Sequence, residues 1–191
     1  MLVVLYITKI CTNMKQSIKF IISILLTMLI ASCASTKTAE QKAAEKHLAA
    51  MRDSLDNKHA IDAINDGNFI LLADKISFTH AGGRPISVFE NTNFIYVLNG
   101  ESVIQFAVDA SRAALNGLGG ITWKGAVSAK KVTTDNKGNT YVQFNVHGPR
   151  TNMAINITIY KGSNEAYARV ASNYTNANMS FYGKIQPYNP Q

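Results

Sequence analysis

The second half of the chain alternates apolar and polar residues, and this pattern most limits the folds open to it. Valine and phenylalanine occupy every second position of segment 141–147, with tyrosine, glutamine, asparagine and histidine between them. Segment 154–160 repeats the alternation with three isoleucines. Successive side chains of a β-strand point to opposite faces, so each segment predicts an antiparallel strand with one face on a core. The predicted inward residues are Val142, Phe144, Val146, Ile155, Ile157 and Ile159.

Short apolar runs of this kind recur from residue 67 to residue 186, separated by turn sequences. Asn99-Gly100 between two such runs is a strong signal for a tight hairpin. In the long run 121–133, Lys124-Gly125 predicts a bend or a split. Eight or nine strands joined in order predict an up-and-down meander, and eight strands can close into a barrel filled by side chains or one small ligand. A β-sandwich is the alternative, because strand number alone does not separate the two.

A helix over residues 38–66 precedes the strands. Thr38 and Gln41 have the spacing of a capping box, and residues 39–64 contain no proline or glycine. One narrow apolar stripe runs along this helix. The helical spacing of its apolar residues is interrupted near Asn57, where we consider a kink or break. The stripe predicts docking on the domain's own core, an exposed stalk, or a seam for a partner helix. Its members are Ala44, Leu48, Met51 and Leu55.

The N-terminus carries a targeting signal. A short basic opening at residues 14–19 precedes an apolar run of 11 residues at 20–30. That run spans about 16 Å as a helix, against about 30 Å for a hydrocarbon core, so a secretory signal peptide is expected at 14–32. Residues 1–13 stand ahead of the basic opening and are interpreted as an over-extended start, with initiation at Met14.

The end of this signal resembles the bacterial lipobox, in the form Ile30-Ala31-Ser32-Cys33. In lipoproteins with this motif the cysteine thiol receives diacylglycerol, the peptidase cuts before the cysteine, and the new amine is acylated, typically with palmitate. The resemblance implies cleavage between Ser32 and Cys33, lipidation of Cys33, and a tether over 33–37. Several acyl chains anchor a protein durably in a membrane. Residues 34–37 contain no acidic cluster of the kind that resembles a surface-export signal of lipoproteins. We therefore expect the protein on the periplasmic face of the outer membrane rather than on the cell surface.

Charge and cysteine content exclude several classes of function. The formal net charge is +7, but Lys9, Lys15 and Lys19 lie in the first 32 residues, ahead of the mature chain; the rest has 16 basic and 12 acidic residues, or +4. This excess is too small to favour nucleic-acid binding. Cys11 and Cys33 both precede the predicted domain, which excludes disulfides and cysteine-based metal or catalytic sites within it.

Known catalytic patterns are absent from the sequence. Gly117-Leu118-Gly119-Gly120 lacks the spacing of a dinucleotide-binding loop, and no phosphate-loop lysine follows. His47 and His59 lie about 120° apart around the helix and do not share a ligand face. The acidic residues beyond Gly67 are scattered singly. We therefore expect a non-enzymatic protein with no metal and no cofactor.

Several short motifs, taken in order, carry a family resemblance. They are Gly67-Asn68-Phe69, Gly82-Gly83-Arg84, Asn99-Gly100-Glu101-Ser102, Arg112-Ala113 and Ser180-Phe181-Tyr182-Gly183. In this order the chain resembles the small lipoproteins of Bacteroidetes that carry domain of unknown function 4251. The resemblance implies a lipocalin-like barrel, in agreement with the strand pattern, and it implies no activity. The family usually has aromatic and proline or glycine residues before the Arg-Ala pair, where this chain has Val108-Asp109-Ala110-Ser111.

Exposed tyrosines are the first candidates for binding. Several tyrosines of the C-terminal strands or beside them fall on the polar face, where rings and hydroxyls can contact a sugar or a peptide. They are Tyr141, Tyr160, Tyr167, Tyr174 and Tyr182, and Tyr141 and Tyr160 are the candidate contact residues. Cross-strand tyrosine pairs that only stabilise the sheet explain the same pattern. Arg112, in the long connection 109–120, is a candidate contact at a shallow pocket over one barrel mouth, and we expect this connection to be the most mobile part of the barrel.

Two further surface features have weaker signals. Asp53-Ser54-Leu55 resembles the O-glycosylation motif of exported Bacteroidetes proteins, which makes Ser54 a candidate acceptor, although an ordinary helical segment explains it too. Lys130-Lys131 is interpreted as a solvated basic edge that discourages strand pairing.

Together these features predict a cell-envelope lipoprotein whose barrel, residues 67–186, is followed by a polar tail at 187–191. The expected role is a non-enzymatic binding or structural module with an unknown protein or glycan partner. The alternative is a carrier of a small apolar ligand inside the barrel. A packed interior favours the module, and unfilled interior volume favours the carrier.

Overall fold

The computed structural model of the protein describes residues 38–78, 83–107, 120–172 and 178–190. The chain divides into two compact units, Met1–Lys46 and His47–Gln191. The described part of the first unit is the beginning of helix α1 (Ala39–Asp66). Here the backbone N–H of Gln41 donates to Thr38 Oγ1 at 3.2 Å, and the N–H of Thr38 donates to Gln41 Oε1 at 3.1 Å. The predicted capping box therefore forms.

Within the second unit, α1 continues through Asn57 without the break considered there. Its apolar stripe lies in solvent, because Leu48, Met51 and Leu55 are 65%, 52% and 55% exposed. Docking of these three side chains on the domain's own core is therefore wrong. Only the last turns of α1 are buried, at Ala60, Ala63 and Ile64.

Within the described ranges nine strands follow α1, and the runs predicted at 121–133, 141–147 and 154–160 match their strands within a few residues. A 3-10 turn at Glu90–Thr92 separates the second strand from the third. The strands are β1 (Phe69–Phe78), β2 (Ile86–Ser87), β3 (Phe94–Leu98), β4 (Glu101–Phe106), β5 (Ile121–Thr134), β6 (Thr140–Gly148), β7 (Thr151–Ile159), β8 (Glu165–Ser172) and β9 (Asn178–Pro187).

The sheet closes on itself. From β3 to β9 each strand pairs antiparallel with the next one along the chain, and β1 pairs with β3 on one side and β9 on the other. The β1–β9 ladder runs from Phe69 opposite Pro187 to Phe78 opposite Met179. These pairings make a closed eight-stranded barrel, with β2 as a short extra strand on β1. The predicted up-and-down barrel is confirmed, and the sandwich is excluded.

The inward faces of the strands form one continuous apolar core. All six residues predicted to point inward are buried, at 0% to 3% exposure. Phe69 and Phe144 meet edge to face, with ring centroids 6.4 Å apart. A β-bulge at Asp74 shifts the alternation of β1, and both Ala73 and Ile76 consequently lie in the core. These buried side chains make up the described interior of the barrel.

The last turns of α1 pack against this core beside the β7–β8 turn. Ala60, Ala63 and Ile64 belong to the core cluster, and Asn57 Nδ2 donates to the Ser163 carbonyl oxygen at 2.6 Å. Since the β7–β8 turn lies at one end of the barrel, these contacts place the end of α1 there.

Lys130 binds the end of the helix. Its Nζ donates to the carbonyl oxygen of Ile64 and, at 3.3 Å, to that of Asn65. Burial lowers the pKa of Lys130, and the charge of Asp66 opposes that shift. A lysine at a helix C-terminus satisfies carbonyl groups that have no partner within the helix. Lys130 is still exposed, so this contact gives it a structural role beyond the solvated edge interpreted from the sequence.

A β-bulge in β5 places Lys130. The β5–β6 register shifts between Ser128 and Lys131, and Ala129 has a φ of +52°. The bend predicted at Lys124-Gly125 is thus wrong in position, because both residues pair regularly with β4.

The opposite end of the barrel is lined by partly buried aromatic side chains. Phe106 stacks on Trp123 with ring centroids 5.1 Å apart, and meets Phe78 edge to face at 5.9 Å. We call these three the mouth aromatics. The predicted shallow pocket near Arg112, and nearly all of the connection 109–120, lie outside the described residues.

Candidate tyrosine groove on the outer wall

A groove of about 220 Å³ crosses the outer wall of the barrel where β7, β8, β9 and β1 lie side by side. Tyr160, just after β7, and Tyr182 on β9 provide its aromatic lining. Ala166 and Gly183 provide small residues in the same lining. We call this feature the tyrosine groove.

Close approach of two strands makes the groove possible. A Cβ atom on Gly183 would lie 1.8 Å from the carbonyl oxygen of Leu72, so only glycine allows β9 to come this near to β1. The Asp74 bulge is adjacent, because the register between the two strands shifts between Ala73 and Lys75. The bulge and the close approach of the two strands therefore both lie in the lining of the groove.

Charges of both signs border the groove. Asp74 and Lys75 come from the β1 bulge, and Glu165 lies opposite Lys184 in the β8–β9 ladder. Two carboxylates accept hydrogen bonds and two ammonium groups donate them. The groove is therefore electrically balanced and can bind a neutral polar ligand through both kinds of group.

The tyrosine rings continue in a row across the wall. Tyr141, Thr158, Tyr167 and Tyr182 stand opposite one another on β6 to β9. The rings of Tyr167 and Tyr182 lie 5.0 Å apart, and the Tyr167 hydroxyl is 2.9 Å from Ser180 Oγ. This pair fits the interpretation that cross-strand tyrosines stabilise the sheet. Tyr160 is 48% exposed.

Tyr141 differs from Tyr160 in what its hydroxyl contacts. It donates to Asp135 Oδ2 at 2.9 Å, in the β5–β6 turn. The backbone N–H of Asn139 also donates to Asp135; this bond and others from Asn139, Tyr141 and Lys137 lower the pKa of Asp135 to about 2. The same contact raises the pKa of Tyr141. Within the described residues, the Tyr160 hydroxyl has no such partner and is open to a ligand.

Comparison with known proteins places the chain in a family. The model of a domain of unknown function, DUF4251, matches residues 52–185. The chain belongs to this family. A crystal structure of a DUF4251 family protein from Bacteroides eggerthii is 30% identical, with a TM-score of 0.62, and the match covers 72% of this chain and 91% of that one. No functionally curated protein matches. Every residue of the tyrosine groove lies inside the DUF4251 match.

A second groove of about 220 Å³ lies on the same outer wall of this DUF4251 domain, over β5, β6 and β7. Three side-chain amides line it, from Gln143, Asn145 and Asn156. The small residues Ala129, at the β5 bulge, and Ala154 lie between them. We call it the amide groove. Its lining residues carry no charged group.

The other residues predicted to be functional are mostly outside the described part of the DUF4251 protein. Ser32, Cys33 and Arg112 fall in segments that the structure does not describe, so lipidation, cleavage and loop contact stay predictions. Ser54 is exposed on α1. Glycosylation at Ser54 also stays a prediction.

The sequence pattern singled out Tyr160 and Tyr182 but not the other residues of the groove around them. It assigned Gln143, Asn145 and Asn156 to the polar face without proposing a site there. In the sequence Asp74 and Glu165 are isolated acidic residues. Their proximity to Tyr160 depends on the strand register, which the sequence alone does not show. A signal was available in Gly183, because a glycine within a strand often marks a bulge or a close backbone approach.

Within the described ranges of the DUF4251 protein, no group of three or more histidine, cysteine, aspartate or glutamate side chains could hold a metal ion. A search of the same ranges finds no helix with the length and apolarity needed to cross a membrane.

Proposed function

We propose that this DUF4251 protein is a non-enzymatic binding module of the cell envelope, and that the tyrosine groove is its binding site. The observation that carries the proposal is the position of Tyr160 and Tyr182, two tyrosines that line one groove of the outer wall together with Ala166 and Gly183. Tyrosine offers a rigid apolar ring and a hydroxyl at little cost in conformational entropy, which makes it a frequent contact residue in binding sites.

The packing of the barrel supports an external site. The inward residues of the described strands form one core cluster, to which α1 adds Ala60, Ala63 and Ile64. A carrier of the lipocalin type needs interior volume for its ligand. Both described grooves lie instead on the outer wall.

Site-specific photocrosslinking in cells tests the groove whatever the class of its ligand. Tyr160 is replaced by p-benzoylphenylalanine, which inserts into C–H bonds of proteins, sugars and lipids alike. Lys124, exposed on the outer face of β5, is the control position. We expect a discrete adduct at position 160 in intact-mass analysis and none at position 124. No adduct at position 160, or equal adducts at both positions, would contradict the proposal.

Anchoring through Cys33 is the second part of the proposal, and the resemblance of residues 30–33 to a lipobox supports it. In cell fractionation, Cys33→Ser is expected to move the protein from the membrane fraction to the soluble fraction. Unchanged membrane retention would refute the lipid anchor. Protease treatment of intact cells is expected to leave the domain uncut, since we propose the periplasmic face of the outer membrane.

A second candidate function, a carrier of a small apolar ligand, is favoured by the mouth aromatics. Phe78, Phe106 and Trp123 are only partly buried at one end of the barrel, where an apolar ligand could contact them. The chain has one tryptophan, so Trp123 fluorescence reports on this end alone. Saturable quenching or a blue shift on titration with a long-chain fatty acid would support the carrier; an unchanged spectrum would count against it.

A further inference from the structure

We infer that the amide groove and the tyrosine groove are two subsites of one surface, and that this surface binds an extended oligosaccharide. The inference rests on the proposed function and names the class of ligand. It starts from the end of β7, because this segment and the residue just after it contribute to both grooves: Asn156 on β7 lines the amide groove and Tyr160, just after β7, lines the tyrosine groove.

The distance between the two grooves suits an oligosaccharide and not a single sugar. Asn156 and Tyr160 lie on the same face of one strand, four residues apart, which corresponds to about 13 Å along the barrel wall. Thr158 lies between them, with Tyr141 and Tyr167 opposite it on the neighbouring strands. The surface between the two grooves therefore carries hydroxyl groups and aromatic rings. An elongated ligand can contact this surface along the whole length of the ligand.

The side chains on this path match the chemistry of sugar rings. An amide group carries both an acceptor oxygen and two donor hydrogens, and neighbouring hydroxyls on a pyranose each donate and accept. Gln143 stands directly opposite Asn156 in the β6–β7 ladder, which puts two amides side by side. Arg169, exposed and opposite Asn156 on β8, adds further donors. Tyrosine rings offer flat surfaces to the C–H faces of sugars.

A peptide fits the same surface less well. Strand addition needs a sheet edge with free backbone groups, and β6, β7, β8 and β9 are paired on both sides. Peptide side-chain anchors need well-packed apolar pockets. The large apolar residues in the lining of the amide groove, Phe144 and Ile155, are only 3% and 1% exposed, and the tyrosine groove is bordered by four charged side chains.

Glycan-array screening followed by calorimetry tests the inference on the purified full-length protein in mild detergent. The array carries bacterial, plant and host glycans together with soluble peptidoglycan strands. Chitohexaose and maltohexaose distinguish acetamido sugars of the cell-wall type from plain hexose polymers, and the matching disaccharides measure the effect of length. We expect at least one hexasaccharide series to bind, with the disaccharide about tenfold weaker or worse.

Variants assign the two subsites. Tyr160→Ala is expected to weaken every bound saccharide about tenfold, because it removes a ring contact and a hydroxyl. The double change Gln143→Ala, Asn156→Ala is expected to weaken the hexasaccharide about tenfold and to leave the disaccharide unchanged. Lys124→Ala is the matched outer-wall control and should bind normally. All these positions are solvent-exposed, so melting temperatures should stay close to that of the natural protein.

Three results would overturn the inference. Disaccharide and hexasaccharide of equal affinity would refute a site longer than one groove. Full hexasaccharide binding by the double variant would refute the amide subsite. Failure of every saccharide on the array would refute the ligand class; a protein or lipid adduct at position 160 in the crosslinking experiment would then leave the proposed binding function standing with a different ligand.

Discussion

Tyr141 and Tyr160 both lie on the outer face of the barrel, but the groups around their hydroxyls differ. The alternation of apolar and polar residues was enough to place Tyr141 and Tyr160 on the outer face. It did not predict that Asp135 binds the Tyr141 hydroxyl, because that contact depends on how the β5–β6 turn folds back. Local periodicity thus predicts which face a side chain occupies, and turn geometry decides whether its polar end is free.

The Asp135 turn predicts a specific acid response. Its pKa is lowered from 3.8 to about 2 in the folded protein, so its hydrogen bonds stabilise the fold above the unfolded pKa and are lost as the pH falls through the folded one. We expect the natural protein to be more stable than Asp135→Asn at neutral pH. The difference should shrink as the pH falls from about 4 to about 2. Urea unfolding of both proteins across this range measures it, and a difference independent of pH would contradict the assignment.

The inward face of β7 predicts a large loss of stability on truncation. Ile157 is 1% exposed and lies in the core cluster. Ile157→Ala removes buried methyl groups and leaves a cavity, which should lower the free energy of unfolding by about 2–5 kcal/mol. Thr158→Ala, next along the strand and on the outer face, should change it by less than about 0.5 kcal/mol. Equal effects of the two changes in denaturant unfolding would show that the inside–outside assignment is wrong.

At the scale of elements, the strands follow from the sequence and the irregularities within them do not. Lys124-Gly125 suggested a bend, yet Gly125 serves close packing: a Cβ there would lie 2.5 Å from the His147 carbonyl oxygen. The actual bulge falls at Ala129, which has a positive φ without being glycine. No local signal marks such a position, because the bulge is held by contacts distant in sequence, including that of Lys130 with the end of α1.

The β1–β9 ladder predicts a strict requirement for glycine at position 183. In Gly183→Ala the new methyl group meets the Leu72 carbonyl oxygen, and the two strands must separate at the ladder that closes the barrel. We expect a loss of about 1–3 kcal/mol, typical of overpacking. Gln186→Ala, at an exposed position of the same strand, serves as the control. Thermal unfolding compares the two, and an unchanged melting temperature in Gly183→Ala would show that β9 does not approach β1 this closely.

At the scale of the molecule, the eight-stranded barrel was predictable because every strand pairs with a neighbour in sequence except at the closing ladder. Pairing of β1 with β9 links residues more than a hundred positions apart, and no local pattern reports it. Strand number and short turns favoured the closed form, and the bulky isoleucines and phenylalanines predicted a filled interior. The position of the tyrosine groove was not predictable, since it is assembled across four strands.

We propose that the barrel is filled by its own side chains and that the protein binds its ligand through the outer wall. Native mass spectrometry of the protein after gentle detergent extraction tests it most directly. We predict that the domain carries no apolar small molecule in stoichiometric amount, and that any retained partner is lost from Tyr160→Ala and kept by Lys124→Ala. A tightly held apolar ligand, present equally in both variants and released only on unfolding, would contradict the account.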